Sequence, residues 1–251
     1  NNYTEGKQED RHTQREYYIS AGGLYTPIEH LSFSLTTDFS VNTLKNNLPA
    51  CPFPTRYTSL SVLAAQYKDN RLTTTVSLLN TFIAENVKTG DKPSDRKRLS
   101  PSASVSWRVL PEQNLRIRAS FKDIFRVPTF NDMYYLRIGN TNLKPERATQ
   151  YNLGITWGDS PSSALSYLNL SVDGYYNRVR DKIVALPTLY IWKMMNMGEV
   201  AISGIDANLS AEISCFDFAD FLLQGNYTWQ KAIDITNESA KNYRDQIPYT
   251  P

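Results

Sequence analysis

Two histidines and two cysteines are the only side chains of those types in the 251 residues. His12 and His30 sit near the N-terminus, neither with a partner that suggests zinc or a catalytic triad, and Cys51 and Cys215 are too distant for a C-x-x-C pair. No metal site is expected from them, and the two cysteines read as isolated thiols at opposite ends of the fold. The chain also lacks a G-x-S-x-G elbow, a phosphate-binding G-x-x-x-x-G-K-[ST] loop and an H-E-x-x-H pair. The expectation is therefore no catalytic residues, no enzyme and no cofactor. What remains is recognition chemistry. Tyr190, Trp192, Met194, Met195 and Met197 crowd one segment, and Tyr134, Tyr135 and Arg137 crowd another. Aromatic and thioether side chains offer apolar, adaptable contact, and an arginine can hold an anionic group. The set suits a bulky small molecule or metal chelate; the plainer reading is loop packing and interfacial aromatics. The charged run from Lys88 to Arg98 reads as a solvated loop tip.

These side chains need a frame, and the frame is written as period-two alternation. Leu115, Ile117, Ala119 and Phe121 alternate with Arg116, Arg118, Ser120 and Lys122. Tyr151, Leu153, Ile155 and Trp157 alternate with Gln150, Asn152, Gly154 and Thr156. The same pattern predicts strands at 14–27, 30–44, 56–69, 71–87, 102–110, 115–126, 147–159, 165–186, 198–213 and 220–235. Soluble strands average about 5–6 residues, whereas a tilted membrane-crossing strand needs about 9–11, and most of these are that long. The connections alternate as well: short ones at 28–29, 70, 111–114, 160–164 and 214–219, long ones at 45–55, 88–101, 127–146 and 187–197. An up-and-down barrel with short turns at one rim and long loops at the other produces that order.

Composition agrees. Net charge is +2, from 27 basic and 25 acidic residues, which argues for neither nucleic acid nor a polybasic membrane patch. Mean hydropathy is −0.45. The sequence holds no run apolar enough for a transmembrane helix, but barrel strands turn only alternate residues to lipid. Sixteen tyrosines suit interfacial girdles. The fold class expected is all-β: an antiparallel, up-and-down transmembrane β-barrel, partial, of about ten strands. A soluble β-sandwich or β-helix is the structural rival.

The stretch 120–146 carries Phe125, Arg126, Pro128, Asn131 and Tyr134, then Gly139, Asn140, Leu143, Pro145 and Glu146. This order resembles the mid-barrel signature of TonB-dependent outer-membrane receptors. The segment from Asn196 through Gly198 and Gly204 to Asp206 resembles that family's Asn-x-Gly…Ile-x-Gly-x-Glu strand start, with Asp206 in place of glutamate. The stretch 246–251 resembles the approach to the last strands. Together the motifs span the second half of the chain; the first hundred residues match in pattern alone.

The resemblance implies a barrel of about 22 strands, of which residues 1–251 would be part of one domain, with an N-terminal plug domain and the last strands lying outside it. It implies the outer membrane of a Gram-negative bacterium, contact with outer-membrane lipid, and coupling to TonB and the plug through the missing N-terminal region. The implied cargo is a scarce bulky solute such as an iron–siderophore, haem or cobalamin. A passive porin or binding barrel without energy coupling is the alternative. Within the motif, Phe125 is expected in the outer aromatic belt, Pro128 ends its strand, and Arg126 is expected to pair with Glu146 on the adjoining strand.

Overall fold

The structure, a computed structural model, describes residues 11–47, 51–90, 92–110, 112, 114–135, 138–160, 162, 164–214 and 219–247. These form ten strands and one short helix: β1 (His12–Ile28), β2 (Leu31–Asn46), β3 (Thr55–Lys68), β4 (Leu72–Asn86), β5 (Arg96–Leu110), β6 (Leu115–Arg126), α1 (Phe130–Tyr134), β7 (Glu146–Asp159), β8 (Leu165–Pro187), β9 (Trp192–Ser214) and β10 (Asp220–Asp234). All ten strands join one sheet in sequence order, each antiparallel to the last. This is the partial up-and-down barrel wall expected. No helix among the described residues is long and apolar enough to cross a membrane.

The alternation seen in the sequence becomes two chemically distinct faces. At one level Ala119 faces Leu153, Leu153 faces Gly174, and Gly174 faces Ile205. One residue away, Arg118 faces Gly154, Gly154 faces Asp173, and Asp173 faces Asp206. The first row is apolar and open: Leu153 is 61% exposed and Ile205 46%. Leu35 and Leu63, paired across β2 and β3, are more than half exposed on the same face. A water-soluble fold would hide such rows against a second layer, and none of the described residues forms a second sheet. Rows of exposed leucine, isoleucine and aromatic side chains are what a hydrocarbon solvent requires.

The other face is held by polar rungs. Gln66 Nε2 donates to Thr75 Oγ1 at 3.1 Å, the Ser77 and Ser102 hydroxyls lie 2.7 Å apart, and Asn152 Nδ2 donates to Ser120 Oγ at 3.1 Å. Arg118 reaches over Gly154 to Asp173 at 2.8 Å, a path that a Cβ at position 154 would close by running into the Asp173 carboxylate. Asn114, just before β6, takes a positive φ of 48°, the left-handed geometry that asparagine tolerates.

Two sequence expectations are corrected. The segment 187–197 is not a long loop: β8 and β9 continue as a ladder up to Pro187–Trp192, so only residues 188–191 connect them. Alternation failed as a signal there because Val184, Ala185 and Leu186 oppose Met195, Met194 and Lys193, a ribbon without an apolar and a polar side. The charged run 88–98 is likewise not all loop tip. β5 begins at Arg96, and Arg96 and Arg98 are strand residues bound to carboxylates on other strands. The exposed Lys92–Asp95 pair matches the solvated reading.

Candidate functional site

The described residues of the 127–145 connection form a folded structure standing on the polar face of the sheet. Thr129 caps α1: its hydroxyl accepts from the Asp132 N–H at 3.1 Å, and the Asp132 carboxylate accepts from the Thr129 N–H at 2.8 Å. Phe130, Met133 and Leu143 are buried. Gly139 donates its N–H to Tyr135 O at 2.8 Å, and a Cβ at 139 would lie 2.7 Å from both Met133 O and Tyr135 N. Only glycine lets the chain fold back so closely.

A buried ionic knot fastens this loop to the wall. Glu85, at the end of β4, is 1% exposed and accepts from Arg56 Nε and Arg96 Nη1, both at 2.9 Å. Tyr134 OH donates to the second Glu85 oxygen at 3.3 Å. Arg56 also donates to Pro128 O at 2.8 Å and lies over the Phe130 ring at 4.8 Å. Burial, and then the nearby Glu85 charge, push the Tyr134 hydroxyl up to about 12. One carboxylate thus gathers two guanidinium groups and a phenol, which meets the condition for placing a charge out of water.

The β8–β9 hairpin holds the loop from the other side. Met194 N donates to Ile138 O at 2.9 Å, and Asn140 Nδ2 donates to Met194 O at 3.1 Å. Asn196 donates to Lys144 O at 3.0 Å and accepts from Lys144 N at 2.8 Å. Beneath, Arg126 Nε donates to Glu146 Oε2 at 2.6 Å, and Arg126 also lies 3.7 Å from Asp132. At its far end the loop reaches the first strand, where the Tyr135 ring stacks on His12 at 6.4 Å.

The residues singled out in the sequence divide accordingly. Tyr134 is half buried, with its hydroxyl turned to Glu85. Tyr135 is half exposed. Tyr190, at the hairpin tip, is 93% exposed; Trp192 and Met195 are 45% and 41% exposed on the stem, and Met194 is half buried with its backbone tied to the loop. Arg137, like Cys215, lies outside the described residues. Of the motif residues, Pro128 is fully buried, Asn131 O caps Tyr135 N, Asn140 makes a turn by accepting from Asn142 N, and Pro145 leads into β7. Phe125 shares the parity of Phe121 and Tyr151. Gly198 lies beneath Thr236, and Gly204 sits where Tyr175 OH and Trp229 O approach. Asp206 faces Asp173 across β8–β9.

Sequence reasoning missed Glu85, Arg56 and Arg96. It also missed a rim recess of about 490 Å³ between residues 93–97 and 141–145, to which Lys97, Lys144 and Arg147 contribute cations. The only hint lay in their parity: Arg56 pairs with Glu85 across the β3–β4 ladder.

The model of the TonB dependent receptor-like β-barrel matches residues 2–251. The chain belongs to the TonB-dependent receptor β-barrel family. Its similarity to individual receptors is lower. A vitamin B12 transporter, BtuB of Photobacterium profundum, is 28% identical over 160 residues, covering 59% of this chain and 25% of the relative. Among solved structures, the copper transporter OprC superimposes with a TM-score of 0.69 at 13% identity, over 94% of this chain and 40% of OprC. The FrpB iron transporter from Neisseria meningitidis (F3-3 variant) does so at 0.63 and 15%, over 95% and 37%. This TonB-dependent receptor chain therefore spans about a quarter of that curated relative and roughly two fifths of the solved barrels. The structural likenesses establish a shared fold at identities too low to carry a substrate.

Proposed function

We propose that the chain is wall and outer rim of an outer-membrane receptor that takes up a scarce, bulky solute by TonB-coupled transport in a Gram-negative bacterium. In this reading residues 1–251 belong to one barrel domain, closed by further strands, and a plug domain and TonB-contacting segment belong to the same protein. It is a transporter and not an enzyme. The supporting observation is the construction of one rim. A rigid loop is fixed to the wall by Glu85 and to a long hairpin by Met194 and Asn196, and that hairpin presents Tyr190, Trp192 and Met195 to solvent. A fixed platform beside an exposed aromatic and thioether surface fits capture of a large, partly apolar ligand. The cargo class proposed is an iron–siderophore, haem or a cobalamin, and the likeness to a vitamin B12 transporter supports the last of these.

The test is uptake by a deletion strain carrying the full-length gene. Growth on a single iron–siderophore, haem or cobalamin source that needs this gene, and that stops when the proton gradient is collapsed or TonB is removed, supports the reading. Uptake indifferent to both would mark a passive barrel.

A further inference from the structure

Above the apolar band, the outward face of β7 and β8 changes chemistry abruptly. Ile155 faces Val172, Leu153 faces Gly174, and Tyr151 faces Tyr176; the next two rungs are Thr149 with Arg178 and Arg147 with Arg180. Strand alternation keeps all of these on the face that carries the exposed apolar rows. Arg147, Arg178 and Arg180, with Tyr151 and Tyr176 below them, line a recess of about 330 Å³ whose remaining wall includes Arg98. Two carboxylates stand among these four guanidinium groups. Asp123 accepts from Arg98 at 2.8 Å, and Glu199 serves both Arg178 and Arg180. The Arg98–Asp123 pair, in which Arg98 shares the parity of Arg96, is neutral; the three outward arginines against Glu199 leave an excess of two, and Arg147 has no ion pair among the described residues.

A cationic recess on the lipid-facing side has no use for a solute passing through the lumen. Its position, one to two rungs beyond two exposed tyrosines, is where an aromatic girdle marks the headgroup level. Guanidinium groups bind phosphate oxygens in pairs, and basic pockets at that depth hold lipid headgroups. Resting on the outer-membrane reading above, we propose that this recess binds a phosphate of the glycolipid that forms the outer leaflet, with Arg147 as the primary contact. Arg180 and Arg178 share the phosphate while Glu199 holds them in place, and the tyrosine hydroxyls border the sugar.

The test measures binding of lipopolysaccharide to the purified full-length receptor in detergent, for the wild type and for Arg147→Gln, Arg180→Gln and Arg71→Gln. Arg71 lies at the opposite end of the sheet, in the β3–β4 turn. Losing one charge-assisted contact is expected to weaken binding roughly tenfold in R147Q, less in R180Q, and not in R71Q. Lipopolysaccharide stripped of its phosphates should bind the wild type no better than intact lipid binds R147Q. Unchanged binding by both R147Q and R180Q, or equal binding of the stripped lipid, overturns the proposal. So does inorganic phosphate alone occupying the recess as tightly as the lipid. Solute uptake by the same variants is read in parallel. Normal uptake with no lipid effect removes this site and leaves the receptor reading intact; absent uptake in every form, wild type included, removes the receptor reading without touching the lipid result.

Discussion

Arg126 and Glu146 face each other at the last rung of the β6–β7 ladder, and Arg126 Nε donates to Glu146 Oε2 at 2.6 Å. The pair also organises its surroundings, since Glu146 accepts from Ile183 N on β8 and Arg126 lies beside Asp132 in the capped helix. It closes the foot of the 127–145 loop from both ends. Arg126 is partly exposed, so the pair itself contributes about 1 kcal/mol. Arg126→Glu and Glu146→Arg should each lower unfolding stability, and the double reversal should recover part of the loss. Recovery is incomplete because an arginine at 146 cannot accept from Ile183 and a glutamate at 126 meets Asp132. A double-mutant cycle with no coupling between the two positions would show that they act separately.

Glu85 is the more consequential acid. Glu85→Ala leaves two nearly buried guanidinium groups without a counter-charge, and breaking a buried ion pair costs about 3–5 kcal/mol. The expected outcome is release of the 127–145 loop, read as new protease cleavage within it while the strands stay protected. Glu85→Gln keeps an acceptor for Tyr134 and should release the loop less completely.

Tyr134 makes the loop alkali-sensitive. Its folded value of about 12 lies above the ordinary 10.0 of a tyrosine. A raised value means that its contribution is complete below pH 10 and is lost as pH climbs through about 12. Protease cleavage of the loop should therefore rise across that window in the wild type. Tyr134→Phe should flatten the rise and remove a hydrogen bond, at a cost of about 1 kcal/mol at neutral pH. An identical alkaline rise in the phenylalanine variant would place the titrating group elsewhere.

Tyr190 separates binding from folding. At 93% exposure it holds nothing in place, so Tyr190→Ala should change stability by less than about 0.5 kcal/mol. If the hairpin touches the solute, affinity measured by quenching of receptor fluorescence should fall about tenfold or more, the size of an aromatic contact residue's loss. Full affinity in both Tyr190→Ala and Met195→Ala would move capture away from this hairpin.

The wall was legible in the sequence because two solvents stamp opposite demands on alternate residues. Leu115, Ile117, Ala119 and Phe121 against Arg116, Arg118, Ser120 and Lys122 is a pattern that local spacing alone reveals, and β6 falls on the expected 115–126. The Arg126–Glu146 rung was legible too, since both residues end neighbouring strands. The upper hairpin was not, because beyond the membrane its two faces no longer meet different media and the alternation fades at Met194 and Met195. Nor was the Glu85 knot. Arg56, Arg96 and Tyr134 come to Glu85 from separations of 29, 11 and 49 residues, and charge in a run such as 88–98 says nothing about a partner on another strand.

The β2–β3, β3–β4, β4–β5, β6–β7 and β7–β8 ladders keep constant register along their length, without a bulge. A single inserted residue in any of these strands would invert everything beyond it, turning arginines and aspartates toward hydrocarbon and leucines toward water. Gene-level length change is thereby confined to the connections at the two rims or to compensated pairs. Variation in the chain's length is channelled into the loops, while the wall changes by exchange of side chains at fixed length.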